Sequence, residues 1–224
     1  MKHAEKELQA LKEEVSQMWK LVLSQLEKAK QAFLNGEIET AREIASREKR
    51  VDAFELKIDS DCENYIALYS PVAVDLRLVL SLIKISITLE RIGDFAESIA
   101  RRIIDEGGER PEAQIMEELQ LEKMFDTLIN MLSDSFVALE SENTRLSGRI
   151  MARDDEIDAI YRNSIDILTA YLQKNPAHIR CGLNTVLLLR KLERIGDHCN
   201  NIVEEIVFYV DAKVLKHGGK SESV

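Results

Sequence analysis

Proline and glycine are scarce in this chain, at three and nine of 224 residues. So few breakers, set among abundant alanine, leucine, glutamate and lysine, favour long helices over strands. Cysteine is scarcer still. Cys62, Cys181 and Cys199 are odd in number and form no C-x-x-C, the pattern of a reducing compartment. Positive charge is in deficit, with 30 Lys and Arg against 40 Asp and Glu and a net charge of −10. That balance argues against a nucleic-acid partner and against direct attraction to anionic lipid. Long apolar runs are missing too. The best window, residues 72–87, carries Asp75, Arg77 and Lys84, so no membrane span is expected. The first 15 residues are charged throughout and lack the apolar core of a signal peptide. There is no nucleophile with a base, no phosphate-cradling glycine loop and no basic pocket. The expectation is a cytoplasmic protein that is not an enzyme and does not hold phosphate strongly by itself.

What is present is a repeat. Leu89-Glu90-Arg91-Ile92-Gly93-Asp94 returns as Leu192-Glu193-Arg194-Ile195-Gly196-Asp197, 103 residues later, and such internal copies are the first thing to follow. The apolar period predicts a first helix over residues 4–34, with Leu8, Leu11, Val15, Met18, Val22, Leu26, Ala29 and Phe33 on one stripe. Asn35-Gly36 closes it. A second helix is expected over 37–69, ended by Ser70-Pro71 because the residue before proline leaves helical space. A third, over 72–106, is apolar nearly all round, which marks a buried member. Gly107, Gly108 and Pro111 make the clearest linker.

Shifting by 106 lays Val15 on Leu121, Met18 on Met124, Val22 on Leu128, Leu26 on Leu132 and Phe33 on Leu139. The fourth helix, expected over 113–139, is therefore the first again. A softer break near 141–143 leads to a fifth helix reaching about 174, and a sixth is expected over 176–216 before a frayed tail from Gly218. The expected fold is all-α: two tandem antiparallel three-helix bundles, six long helices related by a pseudo-two-fold, as repeats 1–108 and 109–224. The length is enough for two modest cores.

In each copy of the motif a Glu and an Asp stand four positions apart, which on a helix puts them on one face roughly 6 Å apart. The same shift carries Glu48 onto Asp154 and Asp52 onto Asp158. Each half thus holds two acidic pairs, Glu48/Asp52 with Glu90/Asp94 and Asp154/Asp158 with Glu193/Asp197. Counted from the turns at Pro71 and Pro176, the pairs stand level on facing antiparallel helices, so four carboxylates converge in each half. Removing these eight acids would take the net charge from −10 to −2. Crowded like charges call for cations. Oxygen-only ligation suits iron, manganese, magnesium or calcium better than zinc or copper, and among the histidines only His198 is near a pair. The sites are expected to be polynuclear and open to solvent. Glu97, seven residues after Glu90, and Asn200 in the matching place are candidate extra ligands.

Other residues carry weaker signals. Gly93 and Gly196 each cost about 1 kcal/mol inside a helix, which argues for a close approach by a neighbouring helix or a metal. Arg91 and Arg194 point away from their Glu, either to a partner or to an ion pair within the bundle. Arg77 and Arg180 match between halves and are expected to meet carboxylates. Trp19 is expected to be packing, and Cys62 and Cys199 small buried residues.

The doubled motif, preceded by Ser-Pro-Val-Ala-Val-Asp-Leu-Arg over 70–77, resembles the PhoU family of bacterial phosphate-transport accessory and regulatory proteins, and the resemblance covers the whole chain. It implies a cytosolic protein, usually a homodimer, that damps phosphate uptake and the phosphate-starvation response. It implies contact with the ATPase subunit of the phosphate ABC transporter and with the phosphate-sensing histidine kinase, membrane association coming only through such partners. It also implies multinuclear metal clusters at Glu48, Asp52, Glu90, Asp94, Asp154, Asp158, Glu193 and Asp197. The second half departs from the family pattern, with His178 where the first half has Asp75, so the halves are not expected to be equivalent in partner contact. Two other readings stay open: a metal-free helical scaffold whose acidic face docks a basic partner, and a di-metal carboxylate oxidase. The second normally needs Glu-x-x-His, and no histidine here has a Glu three residues before it.

Overall fold

The structure, a computed structural model, describes residues 2–215. Among them there are seven α-helices, one 3-10 turn and no strand: α1 (Lys2–Asn35), α2 (Ile38–Tyr69), α3 (Ala73–Asp105), α4 (Ala113–Glu118), α5 (Leu121–Glu140), α6 (Ser147–Lys174), the turn Pro176–His178, and α7 (Ile179–Asp211). No described helix is long and apolar enough to cross a membrane.

The first three helices follow the apolar period closely. α1 buries Leu11, Val15, Met18, Val22, Leu26 and Ala29, and it stops where Gly36 takes φ +71, a conformation cheap only for glycine. A Cβ on Gly36 would stand 2.8 Å from the Gly108 carbonyl oxygen, so the α1–α2 and α3–α4 turns pack backbone to backbone. Ser70 caps α2 in the left-handed region, its N–H bonded to the Ile66 carbonyl.

The expected fourth helix is two. Gln120 adopts φ +51 between α4 and α5. The reason lies in burial: Leu119 and Leu121 are both enclosed in the core, yet on an unbroken helix they would point about 200° apart. The break lets both face inward. The loop before α6 is also longer than expected. Glu142 takes the positive φ there, and its carboxylate is held by Lys12 at 2.7 Å and by the Tyr209 hydroxyl at 2.8 Å. At the far end α7 stops at Asp211, with Ala212 in the left-handed region. The helix therefore ends before the expected 216, residues 212–215 being non-helical; the expected tail from Gly218 lies outside the described residues.

α1, α2 and α3 form one three-helix unit and α5, α6 and α7 the other. The units do not keep separate cores. α3 packs on α7 and α1 on α5, and the buried side chains form one hydrophobic cluster. An α3 that is apolar on nearly every side needs a second neighbour, and α7 supplies it. The pair runs antiparallel. Arg77 Nε donates to the Tyr209 carbonyl at 3.2 Å, Ser81 Oγ to the Glu205 carbonyl at 3.1 Å, and Arg180 to Glu106 at 3.1 Å. The pseudo-two-fold passes the ring pair Phe95 and His198, repeat-equivalent residues whose centroids are 5.7 Å apart. Across the α1–α5 seam the Trp19 indole N–H donates to the Leu132 carbonyl at 3.1 Å.

Candidate metal centre

The α2–α3 hairpin brings the first acidic pairs together. Carboxylate oxygens of Glu48, Asp52 and Asp94 lie within 4.8 Å of one another, the first two side chains half-buried and Asp94 exposed. Glu90 completes the group through a hydrogen bond with Asp94. Burial, and then the charges of Asp94, Glu55 and Asp52, push its carboxyl from 4.5 up to about 7. The α6–α7 hairpin sets its acids near one another without the same convergence of three oxygens. Asp154 is pushed from 3.8 up to about 7, first by burial and then by Asp197, Asp158, Asp155 and Glu193. Glu193 is raised by burial and by Asp197 and Asp158, against the pull of Arg190 and Arg194. Among the described residues, then, three of the eight acids singled out in the sequence, Glu48, Asp52 and Asp94, bring their oxygens together, and Glu90 adjoins them; in the second half Asp158, Glu193 and Asp197 act on Asp154 as nearby charges.

The motif glycines are where these carboxylates are let in. A Cβ on Gly196 would stand 2.5 Å from Asp154 Oδ1, and one on Gly93 would stand 3.2 Å from Val51 Cγ1. Asp154 lies deep: its Oδ2 accepts a 2.7 Å hydrogen bond from Asn200, while its buried Oδ1 has no partner. Asn200 is thus a carboxylate's partner. Glu97, the other candidate ligand, is bound by Arg101 on its own helix.

The remaining expectations divide. Arg180 meets a carboxylate, Glu106, through two contacts of 3.1 Å. Arg77 does not; it donates to a main-chain carbonyl, because the place matching Glu106 is held by Tyr209. Arg194 lies 5.2 Å from the centroid of Phe95, a cation–π contact rather than an ion pair. His198 stacks on Phe95, and burial, then Arg91 and Arg194, lower its pKa. His178 hydrogen-bonds the Tyr171 hydroxyl. All three cysteines are free thiols, Cys62 and Cys199 buried.

Sequence reasoning missed three residues at these sites. Glu55 and Asp155 press on Glu90 and Asp154, and Gln25 of α1 lies against Gly93. Glu55 had a signal, standing three residues after Asp52 on the same helix face, but the repeat places Tyr161 there. Gln25 had one too, as a lone polar residue on an apolar stripe.

Clustered carboxylates with three members, Glu90, Asp154 and Glu193, pushed toward the protonated state form a donor set that hard cations fit. The PhoU domain family model matches the chain twice, over residues 15–103 and 121–206. The chain belongs to the PhoU family. It is 32% identical to the phosphate-specific transport system accessory protein PhoU of Escherichia coli K12, over 96% of this chain and 88% of that one. It is 32% identical to the PhoU homolog of Aquifex aeolicus, over 95% of each. The crystal structure of PhoU from Pseudomonas aeruginosa superposes with a TM-score of 0.87 at 30% identity, over 93% of this chain and 99% of that one. That of the phosphate transport system regulatory protein PhoU from Streptococcus pneumoniae gives 0.84 at 25%, over 96% and 100%. Members of the PhoU family are accessory and regulatory proteins, not enzymes.

Proposed function

We propose that this protein is a cytosolic negative regulator of phosphate uptake and of the phosphate-starvation response. It acts as an adaptor between the ATPase subunit of a phosphate ABC transporter and a phosphate-sensing histidine kinase, as a homodimer. One observation carries the reading: Glu48, Asp52 and Asp94 set carboxylate oxygens within 4.8 Å of one another, beside a Glu90 carboxyl that burial and then like charge push up to about 7. Glu48, Asp52, Glu90 and Asp94 would hold cations in one half, and Asp154, Asp158, Glu193 and Asp197 in the other. With no Cys or His among the eight, iron, manganese or magnesium suits them better than zinc. Such ions would neutralise the acids and tie α2 to α3 and α6 to α7, giving the partner surface a fixed shape. The family membership and the relatives' printed role in phosphate transport support this reading.

The test pairs chemistry with phenotype. Protein purified without chelator should carry iron, manganese or magnesium by elemental analysis. Cells bearing the double substitution Glu90→Ala and Glu193→Ala should take up phosphate without restraint while the variant stays folded. Constitutive repression in those cells would contradict the proposal. Metal-free protein whose partner binding is lost only at high salt would favour a purely electrostatic docking face instead.

A further inference from the structure

Gln25 stands in the apolar stripe of α1 and is 0% exposed. Neither its amide oxygen nor its amide nitrogen has a hydrogen-bond partner. Burying an amide unpaired costs stability, because its bonds to water are lost and nothing replaces them. The fold does not require that cost. The shift of 106 puts Met131 in the matching place of α5, equally buried, so an unbranched apolar side chain of similar length fills the same position in the other half.

The amide has a direction. The point a Cβ of Gly93 would occupy lies 3.5 Å from Gln25 Oε1 and 3.2 Å from Val51 Cγ1. Gly93 and Val51 immediately precede Asp94 and Asp52, two of the three acids whose oxygens converge. Gln25 therefore lies in the α2–α3 seam, on the core side of the turns that carry Asp52 and Asp94. In the second half the place against the motif glycine is taken by Asp154 Oδ1, 2.5 Å from the Cβ position of Gly196. Both halves thus set an oxygen against that glycine, a neutral amide from α1 in one and a carboxylate from α6 in the other. One methylene accounts for the exchange. Glu48 stands where the second half has Asp154, and its longer side chain reaches out to Asp52 and Asp94, leaving the space over Gly93 to Gln25.

We infer that Gln25 is a positioning residue of the first metal centre: its buried amide orients a water bound to the cation held by Glu48, Asp52, Glu90 and Asp94, whereas in the second half the matching place on α5 holds the apolar Met131 and the nearby amide, Asn200, is engaged with Asp154. The inference rests on the metal reading proposed above. It makes the two centres unequal, the first tighter than the second.

The test uses the full chain, stripped with chelator and titrated with Mn²⁺ alone. Wild-type protein should show two classes of site by calorimetry and by the electron paramagnetic resonance of free Mn²⁺. Gln25→Met should raise the thermal midpoint of the metal-free protein, since two unpaired polar atoms leave the core, yet weaken the tighter class about tenfold. The weaker class should not move. A residue that only filled the core would shift the midpoint and leave both affinities alone. Gln25→Leu provides the same pair of readings without a thioether. Unchanged Mn²⁺ affinities in both variants would overturn the role of Gln25 and leave the metal reading standing. A wild-type chain that binds no Mn²⁺ would overturn both.

Discussion

Replacing Glu90 by Gln should stabilise the metal-free protein, and the gain should depend on pH in one direction only. In the fold the Glu90 carboxyl sits at about 7 rather than 4.5, through burial and then Asp94, Glu55 and Asp52. At about 1.4 kcal/mol for each tenfold in proton affinity, that displacement costs the ionised folded state roughly 3 kcal/mol at most. The side chain is only half-buried, and screening by water reduces the figure to about 1 kcal/mol. The sign follows from proton counting. Below about 4.5 the carboxyl is protonated in both the folded and the unfolded chain, and the substitution should change little. Between about 4.5 and 7 the unfolded chain sheds its proton first, so this group's contribution to stability falls as pH rises. Above about 7 the full cost is present, and Glu90→Gln removes it. Thermal melts in chelator, followed by the emission of Trp19, the only tryptophan and fully buried, should show no difference at pH 4. At pH 8 the variant should melt about 2–4 °C higher for a chain of this size. Saturating Mn²⁺ should reverse the order, because the wild type keeps the carboxylate. A variant less stable than wild type at pH 8 in chelator, or a difference that ignores pH, would refute the account of this site.

Two further substitutions separate the centre from the scaffold. Gly196→Ala gains about 1 kcal/mol of helix propensity, but its methyl would stand 2.5 Å from Asp154 Oδ1; the fold should survive while Mn²⁺ affinity of the second centre, read by chelator competition, falls about tenfold. Gly182→Ala, eleven residues before Glu193 on α7, meets the branched end of the half-buried Leu172 at 2.6, 2.8 and 3.1 Å; overpacking set against about 1 kcal/mol of helix propensity should leave a net loss of about 1 kcal/mol or less in urea melts, with Mn²⁺ binding unchanged.

The sequence made some of this legible for physical reasons and concealed the rest for equally physical ones. Gly36 at φ +71 and Ser70 before Pro71 are chemical full stops, so α1, α2 and α3 end within a residue or two of where the pattern ends them. The break at Gln120 carries no such mark, and the one at Glu142, expected near 141–143, lacks a glycine to fix it. They occur because Leu119 and Leu121 must both be buried, and because Lys12 and Tyr209 hold the Glu142 carboxylate. Those forces come from distant parts of the chain. The acidic pairs could be read because the counts from the turns, 19 and 19 about Pro71 and 18 and 17 about Pro176, put them nearly level. Glu55 and Gln25 could not be read that way, since the repeat that pointed to the acids puts Tyr161 and Met131 in their places.

What the two halves share and what they do not can be weighed against the free energy of the fold. Features that stabilise have drifted between them. Arg180 pairs with Glu106 while its counterpart Arg77 makes do with a carbonyl, and the indole bond of Trp19 has no analogue at Phe125, the matching position, which lacks an N–H to give. Features that destabilise the metal-free chain are kept in both: a glycine inside a helix, and an acid that burial and then like charge push up to about 7, Glu90 in one half and Asp154 in the other. A duplicated scaffold selected for stability alone has no reason to preserve its repulsions and let its contacts go. The preserved cost is explained if the folded chain works with that charge offset, and metal-free protein is then the perturbed state rather than the resting one. On that view the stability that matters is measured with cation present, and it should rise with pH over the same interval in which chelated protein weakens.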